Sequence, residues 1–323
     1  MDLRLWKKYP QLQHQLQTVQ QIMIDQITVN SNLFKNGIDN LIDGNGKMVR
    51  SSLLLLFTNF GTQKNHDNYF EKVAASIELI HLASLVHDDV LDQSDLRRGV
   101  TTLNQDFGQR TAIYLGDFLF VKYFRLVLNA MPNIEQLKYN INGVGGILNG
   151  ELQQNQTQYD LSRTKSQYLD SIKGKTAELF RIAAGNGAII SRADENTIQL
   201  IQKIGLQIGM AFQMRDDLID FEDNAKQAGK PTLHDVLGGV YTLPIIYAMQ
   251  TNDRDQLIAT IKKDQLKPAD LYQVKTMVEN DGALAHAHQD LEERTWQIKK
   301  LIRKLPDNQA RQIILDIVKM LFD

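Results

Sequence analysis

The chain has 323 residues, enough for one large or two ordinary domains, and it carries 36 basic against 38 acidic residues. This near-neutral charge gives no reason to expect nucleic-acid binding, and the absence of cysteine excludes disulfides and cysteine-ligated zinc and suits a cytoplasmic protein. No stretch approaches the roughly 18 apolar residues of a membrane span, and no signal peptide is expected because the N-terminal charges lack a long apolar segment behind them.

The spacing of apolar residues predicts helices along most of the chain. These residues recur every three to four positions, whereas the alternation typical of strands is nearly absent. The first predicted helix carries the apolar stripe Leu12, Leu16, Val19, Met23 and Ile27. In chain order, further helices are predicted over residues 51–60, 69–93, 111–130, 134–159, 166–190, 193–222, 243–251, 268–280, 283–305 and 309–322. We expect an all-α fold with one helical domain over residues 1–323, because no low-complexity linker divides these segments.

The predicted helix over residues 69–93 carries an acidic cassette, Asp-Asp-Val-Leu-Asp at residues 88–92, directly after an apolar run. At about 100° per residue, its three carboxylates fall within one arc of roughly 100°. Counting back from Asp88, Ser84 and His81 lie within about 40° of the same direction. We therefore expect the His81 ring to face the same side of the helix as the carboxylates.

A second cassette of the same form, Asp-Asp-Leu-Ile-Asp, occupies residues 216–220 near the end of another predicted helix. Six carboxylates in an apolar frame would repel one another unless cations neutralise them. Oxygen ligands without cysteine favour Mg²⁺, which usually completes its coordination shell with water and substrate phosphate. The two cassettes therefore predict a magnesium site for a phosphorylated small molecule, and a solvated acidic face is the alternative for either one alone.

Four basic clusters accompany the cassettes, each beside a glycine or a predicted helix start, where diphosphate oxygens can bind. They are Lys47 with Arg50, Arg97 with Arg98, Lys173 with Lys175, and Lys230. Each cluster alone is typical of a solvated surface. Together with two acidic cassettes, the four clusters favour a diphosphate-binding site.

The order of these motifs resembles that of the trans-isoprenyl diphosphate synthases, the polyprenyl synthetases, from Asp43 to about Met249. Residues 77–99 resemble the family's first aspartate-rich region with its double arginine, and residues 212–220 resemble the second. The family's Gly-Gly-Lys-x-x-Arg-Pro motif appears at residues 45–51 as Asn-Gly-Lys-Met-Val-Arg-Ser, which leaves the rigidity of this loop to be tested. The resemblance implies the isoprenoid synthase fold, a single antiparallel helical barrel around a central cavity.

By that resemblance, six carboxylates would hold Mg²⁺ bridging to an allylic diphosphate: Asp88, Asp89, Asp92, Asp216, Asp217 and Asp220. The same diphosphate would contact Arg97, Lys175, Thr176, Gln213 and Lys230. Lys175 and Gln213 are counted with the carboxylates as catalytic groups, Gln213 lying near the leaving oxygen. Isopentenyl diphosphate would be held separately, by Lys47, Arg50, His81 and Arg98.

The resemblance also bears on product length. Short-chain relatives place an aromatic residue four or five positions before the first aspartate, where this chain has Ala83 and Ser84, with Ile80 a turn below. We therefore expect an all-trans product longer than fifteen carbons. The segment around Asp88 further resembles medium- and long-chain members that make quinone side chains, such as the catalytic subunits of hexa- and heptaprenyl diphosphate synthases. A small-residue segment, residues 143–150, is expected on a facing helix, with a loop or close helix packing as the alternative.

Several other functions fit parts of the pattern. A short-chain farnesyl or geranylgeranyl diphosphate synthase and a terpene cyclase-like enzyme would use the same cassettes, while a non-catalytic partner subunit need not keep both. A di-iron oxidoreductase would need facing Glu-x-x-His pairs, and a calcium module would need a twelve-residue loop with a terminal glutamate. Large helical surfaces suggest a homodimer or a heterodimer with a smaller subunit.

Overall fold

The computed structural model describes residues 3–27, 32–44, 46–131, 133–222, 233–263 and 265–323. Within these residues the α-helices are α1 (Pro10–Gln26), α2 (Asn32–Asp43), α3 (Val49–Phe57), α4 (Tyr69–Leu91), α5 (Leu103–Phe107), α6 (Gln109–Ala130), α7 (Ile134–Gln156), α8 (Lys165–Ile172), α9 (Glu178–Ile190), α10 (Glu195–Ile219), α11 (His234–Leu237), α12 (Leu243–Ala248), α13 (Arg254–Ile261), α14 (Pro268–Asn280), α15 (Ala283–Ile302) and α16 (Gln309–Phe322). The strands β1 (Leu96–Arg97) and β2 (Val100–Thr101) form one antiparallel hairpin.

The all-α prediction is confirmed, with differences in detail. The expected helix over residues 166–190 is divided into α8 and α9 by a π-helical turn, Lys173–Ala177. Helix α2 was not predicted because its asparagines and Gly37 have low helix propensity; its Ile38 and Ile42 side chains are nevertheless fully buried, so tertiary packing supports this helix. No helix in the described ranges combines the length and apolar character needed to cross a membrane.

The chain contacts group into two compact units. The first unit comprises Met1–Asn142, Arg181–Gly205 and Leu305–Ile314, and the second comprises Gly143–Phe180, Leu206–Lys304 and Leu315–Asp323. The expectation of a single domain therefore stays a prediction. The first acidic cassette lies in the first unit and the second cassette lies in the second.

In the first unit, α4 is the central helix and packs along α6, with α1 and α3 also against it. Its sequence is apolar on most sides, which suits a helix surrounded by others. Helices α4 and α6 approach closely at Gly116, where an added Cβ would lie 2.5 Å from Nε2 of His87. The His87 ring stacks on Phe120 at a centroid distance of 5.6 Å. These contacts fix the end of α4 that carries the first cassette.

In the second unit, α12 packs against α14 and α15. A cluster of buried apolar residues that includes Ile245, Val274 and Val278 fills the space around these helices. Phe221, directly after the second cassette, belongs to the same cluster. The chain leaving α10 is therefore anchored to this core.

Candidate active site

Helix α4 ends inside the first cassette. The helix stops at Leu91, and Asp92 is its C-terminal cap residue. Asp88 is partly buried and Asp92 is exposed, whereas Asp89 is only 2% exposed. Oδ1 of Asp89 accepts a hydrogen bond from Nε of Arg97 at 2.7 Å. Because neighbouring helical residues diverge by about 100°, Asp89 turns inward while Asp88 and Asp92 remain closer to solvent.

A short hairpin brings Arg97 to this buried carboxylate. Arg97 lies on β1, and the turn to β2 consists of Arg98 and Gly99, with φ angles of 52° and 80°. Two positive φ angles are the signature of a two-residue type I′ turn, in which glycine is favoured. The amide of Ser94 donates to the carbonyl of Asp89 at 2.9 Å, which ties the approach to the hairpin to the end of α4. Arg97 is expected to contact the allylic diphosphate, and its hydrogen bond to Asp89 fixes the position of its side chain.

Burial and neighbouring arginines together shift the pKa values of Asp89 and His81 on α4. Burial raises the pKa of Asp89, and Arg97 opposes that shift. Burial, together with Arg50, Arg98 and Arg97, holds the pKa of His81 well below its usual value. His81 is therefore a neutral imidazole at physiological pH. A neutral imidazole beside several arginines can donate a hydrogen bond to an anion without adding charge.

Arg50 begins α3 together with Val49, and burial lowers its pKa to about 10, an effect opposed by Glu78. Lys47, three residues earlier, is exposed, and its carbonyl accepts a hydrogen bond from Nε1 of Trp6 at 2.9 Å. The two predicted cations of this motif therefore differ in environment. Arg50 is held within the protein, whereas the Lys47 side chain is in solvent.

Ser51 occupies the position at which the resemblance expects proline. Its hydroxyl donates to Oε1 of Glu78 at 2.7 Å, and its backbone amide reaches the same oxygen at 3.2 Å. Proline could make neither bond because it lacks both the hydroxyl and the N–H group. The buried Ser51 and Glu78 side chains thus connect the start of α3 to α4. This connection restrains the loop that lost the family's proline.

Helix α10 ends inside the second cassette in the same way that α4 ends inside the first. The helix stops at Ile219, so Asp220 follows its last residue. Asp216 is exposed, while Asp217 is 4% exposed. Tyr168 donates to Oδ2 of Asp217 at 2.6 Å, and Gln213 donates from Nε2 to Oδ1 at 2.7 Å. In both cassettes, the second aspartate is buried and hydrogen-bonded beside a more accessible first one.

Burial raises the pKa of Asp217 to about 7, and Asp216 adds to this shift, although the bonds from Tyr168 and Gln213 oppose it. Burial also raises the pKa of Asp235 well above its usual value, with Asp217, Asp220 and Asp216 acting in the same direction. Nearby carboxylates that disfavour one another's ionisation are typical of cation-binding sites.

The carboxylate of Asp220 accepts hydrogen bonds from the backbone amides of His234 at 3.2 Å and Asp235 at 3.3 Å. These bonds join the end of α10 to α11 and bring Asp235 near the second cassette. Lys230, predicted to contact the allylic diphosphate, falls outside the described residues.

The π-helical turn Lys173–Ala177 carries two predicted site residues. Nζ of Lys175 lies 3.2 Å from Oε2 of Glu151, and the hydroxyl of Thr176 donates to Oε1 of Gln213 at 2.5 Å. An added Cβ on Gly150 of α7 would lie 2.2 Å from the backbone nitrogen of Lys175, so only glycine permits this approach. The small-residue segment 143–150 is thus helical, and at Gly150 it serves close packing.

A cavity of about 60 Å³ lies beside the second cassette, within the second unit. Its lining residues are Gln154, Arg163, Tyr168, Ile172, Lys175, Gln213, Asp217, Asp235, Val240 and Thr242. The sequence predicted Lys175, Gln213 and Asp217 but missed Arg163, Tyr168 and Asp235. No periodicity or motif marked the missed residues, because each reaches the cavity from another segment through tertiary packing.

No group of three or more Asp, Glu or His side chains in the part of the chain that the structure describes forms a ready-made metal site. The donor chemistry nevertheless fits magnesium. Asp88, Asp92 and Asp216 present carboxylates that are at least partly accessible to solvent, and Mg²⁺ commonly takes one or two carboxylates plus water and substrate phosphate.

The residues expected to set product length lie on α4 below the first cassette. Ile80 and Ala83 are buried, and Ser84 is partly exposed. The Ser84 hydroxyl donates to the carbonyl of His81 at 2.8 Å. The donor hydrogen of Ser84 is therefore used within the helix, and the position carries no bulky group.

Comparison with known proteins gives consistent matches. A family model described as polyprenyl synthetase matches residues 31–278. The all-trans-nonaprenyl-diphosphate synthase (geranyl-diphosphate specific) of Rhodobacter capsulatus is 34% identical over 289 residues, covering 88% of this chain and 86% of that protein. Component 2 of the heptaprenyl diphosphate synthase of Geobacillus stearothermophilus is 32% identical over 279 residues, covering 86% of this chain and 85% of that protein.

Two solved structures extend the comparison to the fold. A geranylgeranyl pyrophosphate synthase from Lactobacillus brevis superposes with a TM-score of 0.93 at 34% identity and covers 99% of each chain. A polyprenyl synthase from Caulobacter crescentus, complexed with calcium and isoprenyl diphosphate, superposes with a TM-score of 0.89 at 26% identity, covering 99% of this chain and 96% of that one.

Proposed function

Because the chain belongs to the polyprenyl synthetase family, we propose that it condenses isopentenyl diphosphate head to tail with an allylic diphosphate. The isoprenoid synthase fold and the prenyltransferase class predicted from the sequence are confirmed. The observation that carries the proposed reaction is the matched ends of α4 and α10. Each helix stops at the fourth residue of an acidic cassette, with a buried second aspartate beside a more accessible first one.

The proposed cofactor is Mg²⁺, held by the carboxylates of Asp88, Asp92, Asp216, Asp217 and Asp220 together with substrate phosphate. Asp89 is tied to Arg97 and would act through that arginine or through water. When bound, the metal stabilises negative charge on the departing diphosphate. Calcium in the complex of the Caulobacter protein supports a divalent cation of the same oxygen-preferring class.

The chain's own residues provide two distinct diphosphate clamps. Lys175 and Thr176, on the π-helical turn, supply donors for the allylic diphosphate, whose negative charge grows as its carbon–oxygen bond breaks. Arg50 and neutral His81 would hold isopentenyl diphosphate, whose own diphosphate does not leave. Arg98 and Lys47 are assigned to the second clamp and Arg97 and Lys230 to the first. Exclusion of water protects the allylic cation until the double bond of isopentenyl diphosphate attacks it.

The proposed product is an all-trans polyprenyl diphosphate longer than fifteen carbons. Ala83 and Ser84 leave the space below Asp88 without an aromatic side chain. The products named for the similar proteins range from geranylgeranyl to decaprenyl diphosphate, and all of these exceed fifteen carbons. We propose that the product becomes a quinone side chain, because the segment around Asp88 resembles the medium- and long-chain enzymes that make such side chains.

A dimer is proposed from two exposed apolar stripes. On α6, Tyr114, Val121 and Leu128 are spaced seven residues apart and lie on one helix face, each more than half exposed. Helix α7 presents a stripe of its own through Ile134, Ile141, Leu148 and Leu152. Exposed apolar surface of this kind marks protein interfaces. The partner is a second copy or a smaller subunit, as the name "component 2" of the Geobacillus relative suggests. We place this enzyme in the cytoplasm, a reducing compartment that suits a chain without cysteine.

The decisive experiment incubates the purified chain with Mg²⁺, labelled isopentenyl diphosphate and a series of allylic primers, followed by product sizing. We expect primer-dependent extension by five-carbon units that stops on chelation of the metal. A terpene cyclase would instead release a hydrocarbon from the allylic diphosphate alone, and that result would refute condensation. Extension that begins only after addition of a second protein would identify the chain as the catalytic member of a heterodimer.

A further inference from the structure

Both oxygens of the Asp217 carboxylate are engaged by neighbouring side chains. The hydroxyl of Tyr168, on α8, donates to Oδ2 at 2.6 Å, and the amide nitrogen of Gln213 donates to Oδ1 at 2.7 Å. One hydrogen bond to each oxygen prevents rotation of the carboxylate about its Cβ–Cγ bond and leaves lone pairs on both oxygens. The orientation of Asp217 is therefore set by its neighbours before any ligand binds.

A third residue determines which end of the Gln213 amide faces Asp217. The Thr176 hydroxyl donates to Oε1 of Gln213 at 2.5 Å, so the amide oxygen is turned toward Thr176 and the nitrogen toward the carboxylate. Tyr168 has no comparable ambiguity because a phenol has a single hydrogen to donate. Both donors to Asp217 are therefore specified by the surrounding side chains.

The Arg163 guanidinium lies over the ring of Tyr168. The guanidinium carbon lies 5.7 Å from the centre of the Tyr168 ring, and Nη1 donates to the carbonyl of Tyr241 at 3.1 Å. Arg163 is 5% exposed and Tyr168 is 1% exposed, so both side chains are fixed by packing. The Nε atom of Arg163 has no acceptor among the described residues, so the guanidinium is held by that carbonyl and by the ring.

We propose that Tyr168 and Arg163 are positioning residues that hold the Asp217 carboxylate in one orientation for a divalent cation. Neither residue belongs to the motifs by which the site was predicted, and each acts through Asp217. Side chains that orient a metal ligand commonly contribute about 10- to 100-fold to metal affinity. The inference rests on the proposed function, because it takes Asp217 as a metal ligand.

The test compares Tyr168→Phe with a matched control, Tyr247→Phe. Tyr247 also donates to a carboxylate, that of Asp290, but this pair lies outside the lining of the cavity. Binding of Mn²⁺ is measured by titration calorimetry on the full-length chain in the presence of inorganic pyrophosphate, and thermal melting confirms that each variant is folded. We expect Tyr168→Phe to weaken Mn²⁺ binding about tenfold or more. Tyr247→Phe should leave it within about twofold, because neither Tyr247 nor Asp290 lines the cavity or contacts Asp217.

Arg163→Lys supplies a second, independent variant. Lysine keeps the positive charge but loses the flat group that lies against the Tyr168 ring. We expect about a tenfold loss of Mn²⁺ affinity, in line with the effect of other residues that orient a metal ligand. If Tyr168→Phe fails to fold, this variant decides the outcome alone. Unchanged Mn²⁺ affinity in the folded variants would overturn the inference, as would an equal loss in Tyr247→Phe, which would indicate general destabilisation.

The positioning role of Tyr168 and Arg163 and the proposed condensation reaction can fail separately. If the wild-type chain elongates an allylic primer while the Tyr168 and Arg163 variants bind Mn²⁺ normally, the positioning role is wrong and the proposed function stands. If the wild-type chain binds Mn²⁺ with pyrophosphate, the variants weaken that binding, and no elongation occurs with or without a second subunit, the positioning role stands and the proposed reaction is wrong. A wild-type chain that binds no Mn²⁺ overturns the positioning role itself.

Discussion

The Ser51 hydroxyl and the Glu78 carboxylate form a buried hydrogen bond of 2.7 Å between the start of α3 and the middle of α4. Glu78 also stabilises the charge of Arg50, whose pKa it raises against the effect of burial. One carboxylate thus supports both the loop that lost its proline and the adjacent arginine. The proposed clamp for isopentenyl diphosphate therefore depends on a residue outside the set proposed to contact that substrate.

Glu78→Gln should weaken binding of isopentenyl diphosphate while leaving the allylic primer little affected. The neutral amide accepts a weaker hydrogen bond from Ser51 and no longer favours the charged form of Arg50. We expect KM for isopentenyl diphosphate to rise about tenfold, equivalent to about 1.4 kcal/mol. Steady-state kinetics with each substrate varied in turn would measure this difference.

Glu71→Gln is the matched control for that experiment. Glu71 is also a buried glutamate of α4, and it accepts hydrogen bonds from Gln15 and Asn65 rather than from the Ser51 loop. It should lower thermal stability without a selective change in either KM. A parallel rise in both KM values for Glu78→Gln would contradict the specific role of Glu78.

Removal of a carboxylate from either acidic cassette should cause a large loss of turnover. Asp88→Ala or Asp217→Ala should lower kcat by about 10³-fold or more, because each removes a proposed metal ligand. Asp95→Ala is a suitable control, since Asp95 is exposed and lies just beyond the first cassette. The measurement is initial rate at saturating metal and substrates, with circular dichroism to confirm folding. Near-normal turnover in a folded Asp88→Ala or Asp217→Ala enzyme would exclude that residue as an essential ligand.

The lowered pKa of His81 predicts that the stability of the folded protein depends on pH. Its pKa in the folded protein lies well below the usual value of 6.5, so below about pH 6.5 the unfolded chain binds a proton that the folded chain does not. The contribution of neutral His81 is therefore complete above this pH and is lost as the pH falls. Between pH 7.5 and 5.5, wild type should lose about 1 kcal/mol more unfolding free energy than His81→Gln. Urea denaturation of both proteins at the two pH values provides the comparison, and equal losses would contradict the assigned shift.

The sequence predicted most of the fold because long apolar periodicities mark helices such as α4 and α10. It also identified both cassettes, since their spacing repeats and their flanks are apolar. It did not predict that Asp89 would turn inward to Arg97, because that pairing depends on a hairpin formed by a local turn. Tyr168 reaches Asp217 only after α8 packs beside α10. Periodicity carries no information about such pairings between segments distant in the chain.

The last prediction concerns product length. Ser84 lies one turn before Asp88 on nearly the same side of α4, and its partial exposure leaves room for a larger side chain. Because an isoprene unit and a helical turn are both about 5 Å long, Ser84→Phe should shorten the product to about fifteen or twenty carbons. The first condensations should continue, since the ring does not replace a proposed metal ligand. Ala83→Phe changes the other position expected to set product length. Because Ala83 is fully buried, the new ring should also overpack the core and cost about 1–3 kcal/mol of stability. Product sizing and thermal melting separate the two effects, and an unchanged product from a well-folded Ser84→Phe enzyme would show that the growing chain does not pass this face of α4.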